Sequence, residues 1–242
     1  MRILALSVLL PLAACSNGDS IDARNAIPPN GSGSARTYAA NDFTAVELRG
    51  PDDVDVRVGS AFSVRAEGDS SALDRLVIAR DGNKLRIGRK HSWLWSGNGG
   101  KIKVFVTMPR ITAGALAGSG DMTIDRIDGG DFRGSLAGSG DMKIGRLAAE
   151  TSALSIAGSG SINVDGGTAA RFKASIAGSG DIAAPQLAAR EATVDIAGSG
   201  SVKATVDGPA RVSIMGSGDV DLGAKAKCDT HKAGSGEVRC GA

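Results

Sequence analysis

Aromatic side chains are scarce in this chain: its 242 residues include one Tyr, two Trp and five Phe. Cores of ordinary make-up lean on large rings, so the expected interior is a thin layer of small aliphatics. A charge excess of either sign is also lacking, with 28 Lys and Arg against 26 Asp and Glu. The basic residues are dispersed, without a run or stripe, and no aromatic platform accompanies them, which argues against nucleic acid as a partner. Histidine is confined to His91 and His231, and neither has a nucleophile at a motif spacing. The serines sit in Gly-Ser-Gly rather than in a Gly-x-Ser-x-Gly elbow. Metal-ligand clusters, phosphate loops and dinucleotide fingerprints do not occur either. A non-enzyme without a cofactor is expected. Among enzymes, only the sugar-cleaving β-helix class, which works with scattered carboxylates, stays in view.

Glycine is the opposite case, at 35 residues. Gly-Ser-Gly begins at Gly118, Gly138, Gly158, Gly178, Gly198, Gly216 and Gly234, at intervals of 20, 20, 20, 20, 18 and 18 residues. A fixed period of this size makes each copy one rung of a stack. Two residues before the motif stand Leu116, Leu136, Ile156, Ile176, Ile196 and Ile214, and then Lys232. Two residues after it stand Met122, Met142, Ile162, Ile182, Val202, Val220 and Val238. Alternation places these on one face of short strands, so stacking builds aliphatic ladders with Gly-Ser-Gly as the corner between strands. Ser135, Ser155, Ser175 and Ser213 face outward on one strand; Thr123, Lys143, Asn163 and Lys203 do so on the next. The expected fold is all-β: a right-handed, parallel β-helix-like solenoid with coils of about 20 residues. An antiparallel or mixed β segment precedes and caps it. Lys232 breaks the inward ladder as a water-facing terminal rung would.

The residue after the corner is Asp121, Asp141, Ser161, Asp181, Ser201, Asp219 and Glu237. Asp121, Asp141, Asp181 and Asp219 are weak candidates for a calcium column, but their spacing departs from the calcium-binding nonapeptides and serine interrupts them. The alternative is that Asp and Ser bond back to turn amides.

The N-terminus reads as a targeting segment over residues 1–14. Arg2 precedes an apolar stretch too short to span a bilayer, and Leu12-Ala13-Ala14-Cys15 resembles the bacterial lipoprotein box. That resemblance implies lipidation of Cys15, and Ser16 after it points to the outer membrane. An ordinary secretory peptide ending near a cysteine is the alternative. Of three cysteines, Cys228 and Cys240 then remain as a pair for a disulfide in an oxidising compartment, or as buried thiols. Residues 15–36, with Pro28-Pro29 and Gly31-Ser32-Gly33-Ser34, read as the lipidated Cys and a flexible tether.

A single domain is expected over residues 37–242, with N-terminal strands over 37–110 and repeat coils over 111–242. Gly59-Ser60 reads as a hairpin between Val54–Val58 and Phe62–Ala66, and Asp81-Gly82 as another between 76–80 and 84–89. Asp69-Ser70-Ser71 reads as the cap of one helical turn. Both tryptophans, Trp93 and Trp95, fall in one glycine-rich loop. They are candidate contacts for a ligand, glycan or membrane; the other and preferred reading of the loop is a flap over the open end of the stack.

The succession Phe43-Thr44-Ala45-Val46, Val54-Asp55-Val56, Asp81-Gly82-Asn83-Lys84-Leu85-Arg86-Ile87, Val104-Phe105-Val106 and repeated Gly-Ser-Gly-Asp resembles the head GIN domain family. The resemblance spans roughly residues 42–240. Members of that family are called auto-transporter adhesins and are typically secreted or lipid-anchored envelope proteins. It implies a β-helix-like fold and carries no catalytic residues. The expected protein is a lipid-anchored envelope scaffold whose faces meet a glycan, a protein or an envelope polymer. A structural or signalling lipoprotein without a ligand of its own is the second reading.

Overall fold

A computed structural model of the chain describes residues 25–90 and 100–241. Its elements begin with β1 (Pro29–Asn30), β2 (Ala35–Tyr38), β3 (Ala45–Gly50), β4 (Asp53–Val58) and β5 (Ser63–Gly68). The short helix α1 (Ser70–Leu73) leads to β6 (Leu76–Asp81), β7 (Lys84–Arg89) and β8 (Ile102–Met108). The repeat region opens with β9 (Ala113–Gly118), β10 (Met122–Asp128), β11 (Asp131–Gly138) and β12 (Asp141–Gly158). It continues with β13 (Ser161–Val164), β14 (Gly167–Gly178), β15 (Asp181–Gly198) and β16 (Ser201–Val206). The last strands are β17 (Gly208–Gly216), β18 (Asp219–Asp221), β19 (Ala226–Ala233) and β20 (Val238–Arg239).

The repeat is a β-solenoid, and its ladders run in the register that the period demands. Leu136 pairs with Leu116 and Ile156, Ile156 with Ile176, and Ile176 with Ile196. On the strand after the corner Met122 pairs with Met142, Met142 with Ile162, and Ile162 with Ile182. All are buried. Each coil has three sides: a first side after the corner (Met122–Ile124), a short second side (Arg126–Asp128), and a third side leading to the next corner (Asp131–Gly138). The core is not purely aliphatic. Phe132, Ser152, Phe172, Ala192 and Ala210 stack in one inward column, so rings alternate with small residues where the section is thin.

The stack begins earlier than Gly118. Strand β3 pairs with β9 in parallel, placing Leu48 on Leu116 and Gly50 on Gly118. Strand β4 pairs with β10, placing Val54 on Met122 and Val56 on Ile124. Gly50-Pro51-Asp52 is therefore a corner without Gly-Ser-Gly. One rung further out, β7 and β8 pair with β3 and β4 in parallel. Antiparallel strands close this end: β6 on β7, and β5, β2 and β1 in turn on β8.

Three local expectations change. Gly59-Ser60 makes no hairpin, because β8 lies between β4 and β5, parallel to one and antiparallel to the other. Residues 29–38 include two strands of the cap, so the part of the tether within the described residues is folded rather than free. Asp69 precedes α1 without a side-chain cap, its carbonyl accepting from Ala72 and Leu73 instead. The Asp81-Gly82 turn stands as expected, with Gly82 at φ +59° between paired β6 and β7.

Candidate functional site

The corners show what the repeat motif does. Gly118, Gly138, Gly158, Gly178, Gly198 and Gly216 all have φ between +128° and +138°. A Cβ on Gly158 would lie 2.3 Å from the Gly138 carbonyl oxygen, so glycine is required both by conformation and by rung spacing. Each corner then hands its load outward: Ser139 N–H and Gly140 N–H both donate to Gly118 O, and the pattern recurs at Gly138 and Gly158.

The carboxylates after the corner bond between coils, not back to their own turn. Asp53 Oδ1 accepts from Asp121 N, and Asp121 Oδ1 from Asp141 N at 3.1 Å. Asp141 Oδ1 takes both the N–H and the hydroxyl of Ser161, at 3.1 and 2.7 Å. Asp181 does the same for Ser201, and Asp219 accepts from Glu237 N. One oxygen of each aspartate is thus an inter-rung clamp, and serine alternates in as the donor that answers it. Among the described residues no group of three or more His, Cys, Asp or Glu is arranged to hold a metal.

At the first corner Asp52 stands where later coils have the second glycine. It is wholly buried, accepts two bonds from the Arg89 guanidinium, and also takes Ile102 N–H at 3.1 Å. Arg89 Nη2 donates to Gly100 O as well. The hydrogen bond to Asp52 raises the Arg89 pKa above its ordinary value, against the opposing effect of burial. Both feet of the tryptophan loop are tied to this one carboxylate. Trp93, Trp95 and His91 themselves lie outside the described residues, as does Cys15.

Glu47 is a second buried carboxylate, on the outward side of β3, ion-paired with Arg49 and with Lys84 at 2.8 Å. Burial works against its charge, but hydrogen bonds from Lys84 and Arg49, with their charges, outweigh it and hold its pKa below the ordinary glutamate value.

The opposite end is closed differently. Cys228 and Cys240 form a disulfide with a Cα–Cα distance of 6.2 Å, both half-buried against the core. Lys232 stands in register with Ile214, exposed, and its Nζ donates to Gly236 O at 2.7 Å, covering the last corner. His231 is exposed beside Asp229.

The third side supplies a continuous outward surface. Ala117, Ala137, Ala157, Ala177 and Ala197 form one column on it, followed in register by Met215 and Ala233, and Ser135, Ser155 and Ser175 form the next. At its N-terminal end lies a groove of about 650 Å³ lined by Asn83, Lys84, Arg110, Thr112 and Arg133 among others. Arg110 reaches this groove from the link before β9, its guanidinium lying over Gly130. No helix among the described residues is long and apolar enough to cross a membrane.

Residues 42–226 match the family model described as "putative auto-transporter adhesin, head GIN domain". No curated protein matches the chain. Among solved structures, a putative adhesin of Bacteroides fragilis NCTC 9343 superposes with a TM-score of 0.80 at 18% identity, over 88% of this chain and 98% of its own. A putative lipid binding protein of Parabacteroides distasonis ATCC 8503 gives a TM-score of 0.70 at 19% identity, over 88% and 98%. A putative adhesin of Parabacteroides merdae ATCC 43184 gives 0.68 at 20%, over 87% and 97%. At these identities the likeness is one of fold.

Proposed function

The chain belongs to the head GIN domain family of putative auto-transporter adhesins, and from that membership we propose that it is a non-enzymatic binding scaffold of the bacterial cell envelope. In this reading Cys15 carries the lipid that holds it to the outer membrane, and the solenoid faces meet a glycan, a protein or another envelope polymer. The observation that carries the proposal is the unbroken register of the third side from β9 to β17, where alanines stack from Ala117 to Ala197 and serines from Ser135 to Ser175 as one continuous outward surface. Such a surface suits an extended partner held at many weak points better than a small substrate held in a pocket. The family and its solved relatives are described as adhesins or binding proteins, not as enzymes, which supports the same reading. Trp93 and Trp95, which fall in sequence between β7 and β8, are candidate contacts beyond the strand faces.

The test is binding to purified envelope polysaccharides and envelope proteins, with a lipopeptide of residues 15–36 as the control. Saturable retention without release of any product is expected, and retention no greater than the control's overturns the proposal. Anchorage is read separately: Cys15→Ser is expected to move the protein from the membrane fraction to the soluble one, and an unchanged distribution removes the lipid from the account.

A further inference from the structure

The basic residues, scattered in the sequence, are partly lined up by the fold. On the third side Arg133, Ala153, Lys173, Thr193 and Arg211 are successive register partners. The three cations are exposed and stand two rungs apart, about 9.6 Å at ~4.8 Å per rung. None has a carboxylate at ion-pair distance among the described residues. Elsewhere on the same side that is not the habit: Arg171, two residues before Lys173, is bonded to Glu150 and Thr151. The spacers Ala153 and Thr193 are small, and the neighbouring column offers the hydroxyls of Ser135, Ser155 and Ser175. Toward the N-terminus the line enters the groove, where Arg110 adds another cation, while Lys84 is paired with Glu47 and Asp131 also lines it.

We propose that this column is a track for a linear acidic polysaccharide lying along the solenoid axis, its carboxylates on Arg133, Lys173 and Arg211. The proposal rests on the scaffold reading above and names its ligand class. The sign of the charge selects an anion, and its repeat selects the kind. A glycan whose sugars each span about one rung, with a carboxylate on alternate sugars, meets a cation at every second coil. A nucleic-acid strand carries a phosphate every ~3.4 Å and is held by stacking on aromatic rings, which this face does not offer. Dense anionic surfaces would also press on Glu191 and Asp195, which flank the column, whereas a chain one sugar wide passes between them. Each exposed ion pair contributes little alone, so binding comes from several engaged together along the chain.

The experiment measures binding of the full-length protein in detergent to hyaluronan, whose carboxylates sit on alternate sugars. Neutral dextran and single-stranded oligothymidylate are run beside it. Hyaluronan is expected to bind, more weakly as salt rises. Replacing all three cations (R133Q, K173Q, R211Q) is expected to weaken it at least about ten-fold, with the thermal midpoint unchanged. The pair R146Q and R190Q, an exposed arginine on the second side and one at the bend into the third, is expected to leave it as it was. No hyaluronan binding, equal binding of the oligothymidylate, or undiminished binding by the triple variant each overturns the track. If hyaluronan fails to bind, or the triple variant binds it as the parent does, while the parent still holds an envelope polymer, the track falls and the scaffold stands. If the parent holds no polymer at all, both fall.

Discussion

Asp52 and Arg89 meet across 37 residues of sequence, Nε donating to Oδ2 at 2.8 Å, at the one corner where an aspartate replaces the second glycine of the motif. The same carboxylate holds Ile102 N–H, so it ties the Gly50 corner to β8 of the rung beyond it. At the Gly118, Gly138 and Gly158 corners a backbone carbonyl accepts the amides of the following coil instead.

Replacing Asp52 by Ala is therefore expected to be among the most damaging single changes. It takes the carboxylate from a largely buried guanidinium and a buried amide, a loss of about 3–5 kcal/mol by the usual cost of breaking such a pair. In a chain of this size that is a fall of roughly 10–15 °C in thermal midpoint. Asp52→Gly restores the repeat motif but not the acceptor, and is expected to fall as far. A midpoint within about 2 °C of the parent for either variant would show that Arg89 finds another partner.

Gly158→Ala tests the corner itself. Its φ of +136° disfavours any side chain, and the added Cβ meets Gly138 O at 2.3 Å, a backbone atom that cannot swing away. A loss of about 2–4 kcal/mol is expected. Gly166→Ala is the control, since its Cβ would find nothing nearer than 3.6 Å, and a change within about 0.5 kcal/mol is expected. Thermal melts of the two variants side by side decide it, and equal losses would mean that rung spacing is not set at the corner.

The ladders were legible in the sequence because strand alternation and a constant offset act together: Leu116, Leu136 and Ile156 could only stack. The corner at Gly50 was not, because 68 residues and two cap strands separate it from Gly118 and the Gly-Ser-Gly signature is gone. Its surviving signal is Leu48, Val54 and Val56 at the spacings of Leu116, Met122 and Ile124. Gly59-Ser60 misled because a turn fixes where a chain reverses, not which strand lies beside it; burial of Val64 and Val106 on one core chose β8. The line of Arg133, Lys173 and Arg211 was invisible for the same reason, since residues about 40 apart become neighbours only through register.

Glu47 gives the stability of the N-terminal end an acid limb. Its pKa is lowered in the folded protein, so its contribution is present above the ordinary glutamate value and is lost as pH falls through the depressed one. Glu47→Gln is expected to cost about 1–3 kcal/mol at pH 7, from hydrogen bonds to Lys84 and Arg49. The gap between parent and variant is expected to narrow as the pH falls below the ordinary glutamate value and through the depressed one, where the parent's own carboxyl takes up its proton. Denaturant titrations at pH 7 and pH 3 measure it, and a gap that stays constant would assign the cost to packing rather than charge.

Reduction of the disulfide is expected to act locally. Cys228 and Cys240 are 12 residues apart and close the last coil, whose outer edge has no further strand to pair with among the described residues. A loop of this length contributes about 3 kcal/mol by chain entropy, but in a solenoid each coil leans mainly on its neighbour, so the loss stays near the end that suffers it. Reduced protein, or the C228S and C240S pair, is expected to exchange amide hydrogens of β19 and β20 at least about ten-fold faster. The amides of β11 and β12 are expected to keep their protection. Proteolysis should then cut first at Lys225 or Lys227 and stop at the coils before them. If the whole solenoid loses protection on reduction, the terminal coil is the keystone of a single cooperative unit rather than a replaceable cap.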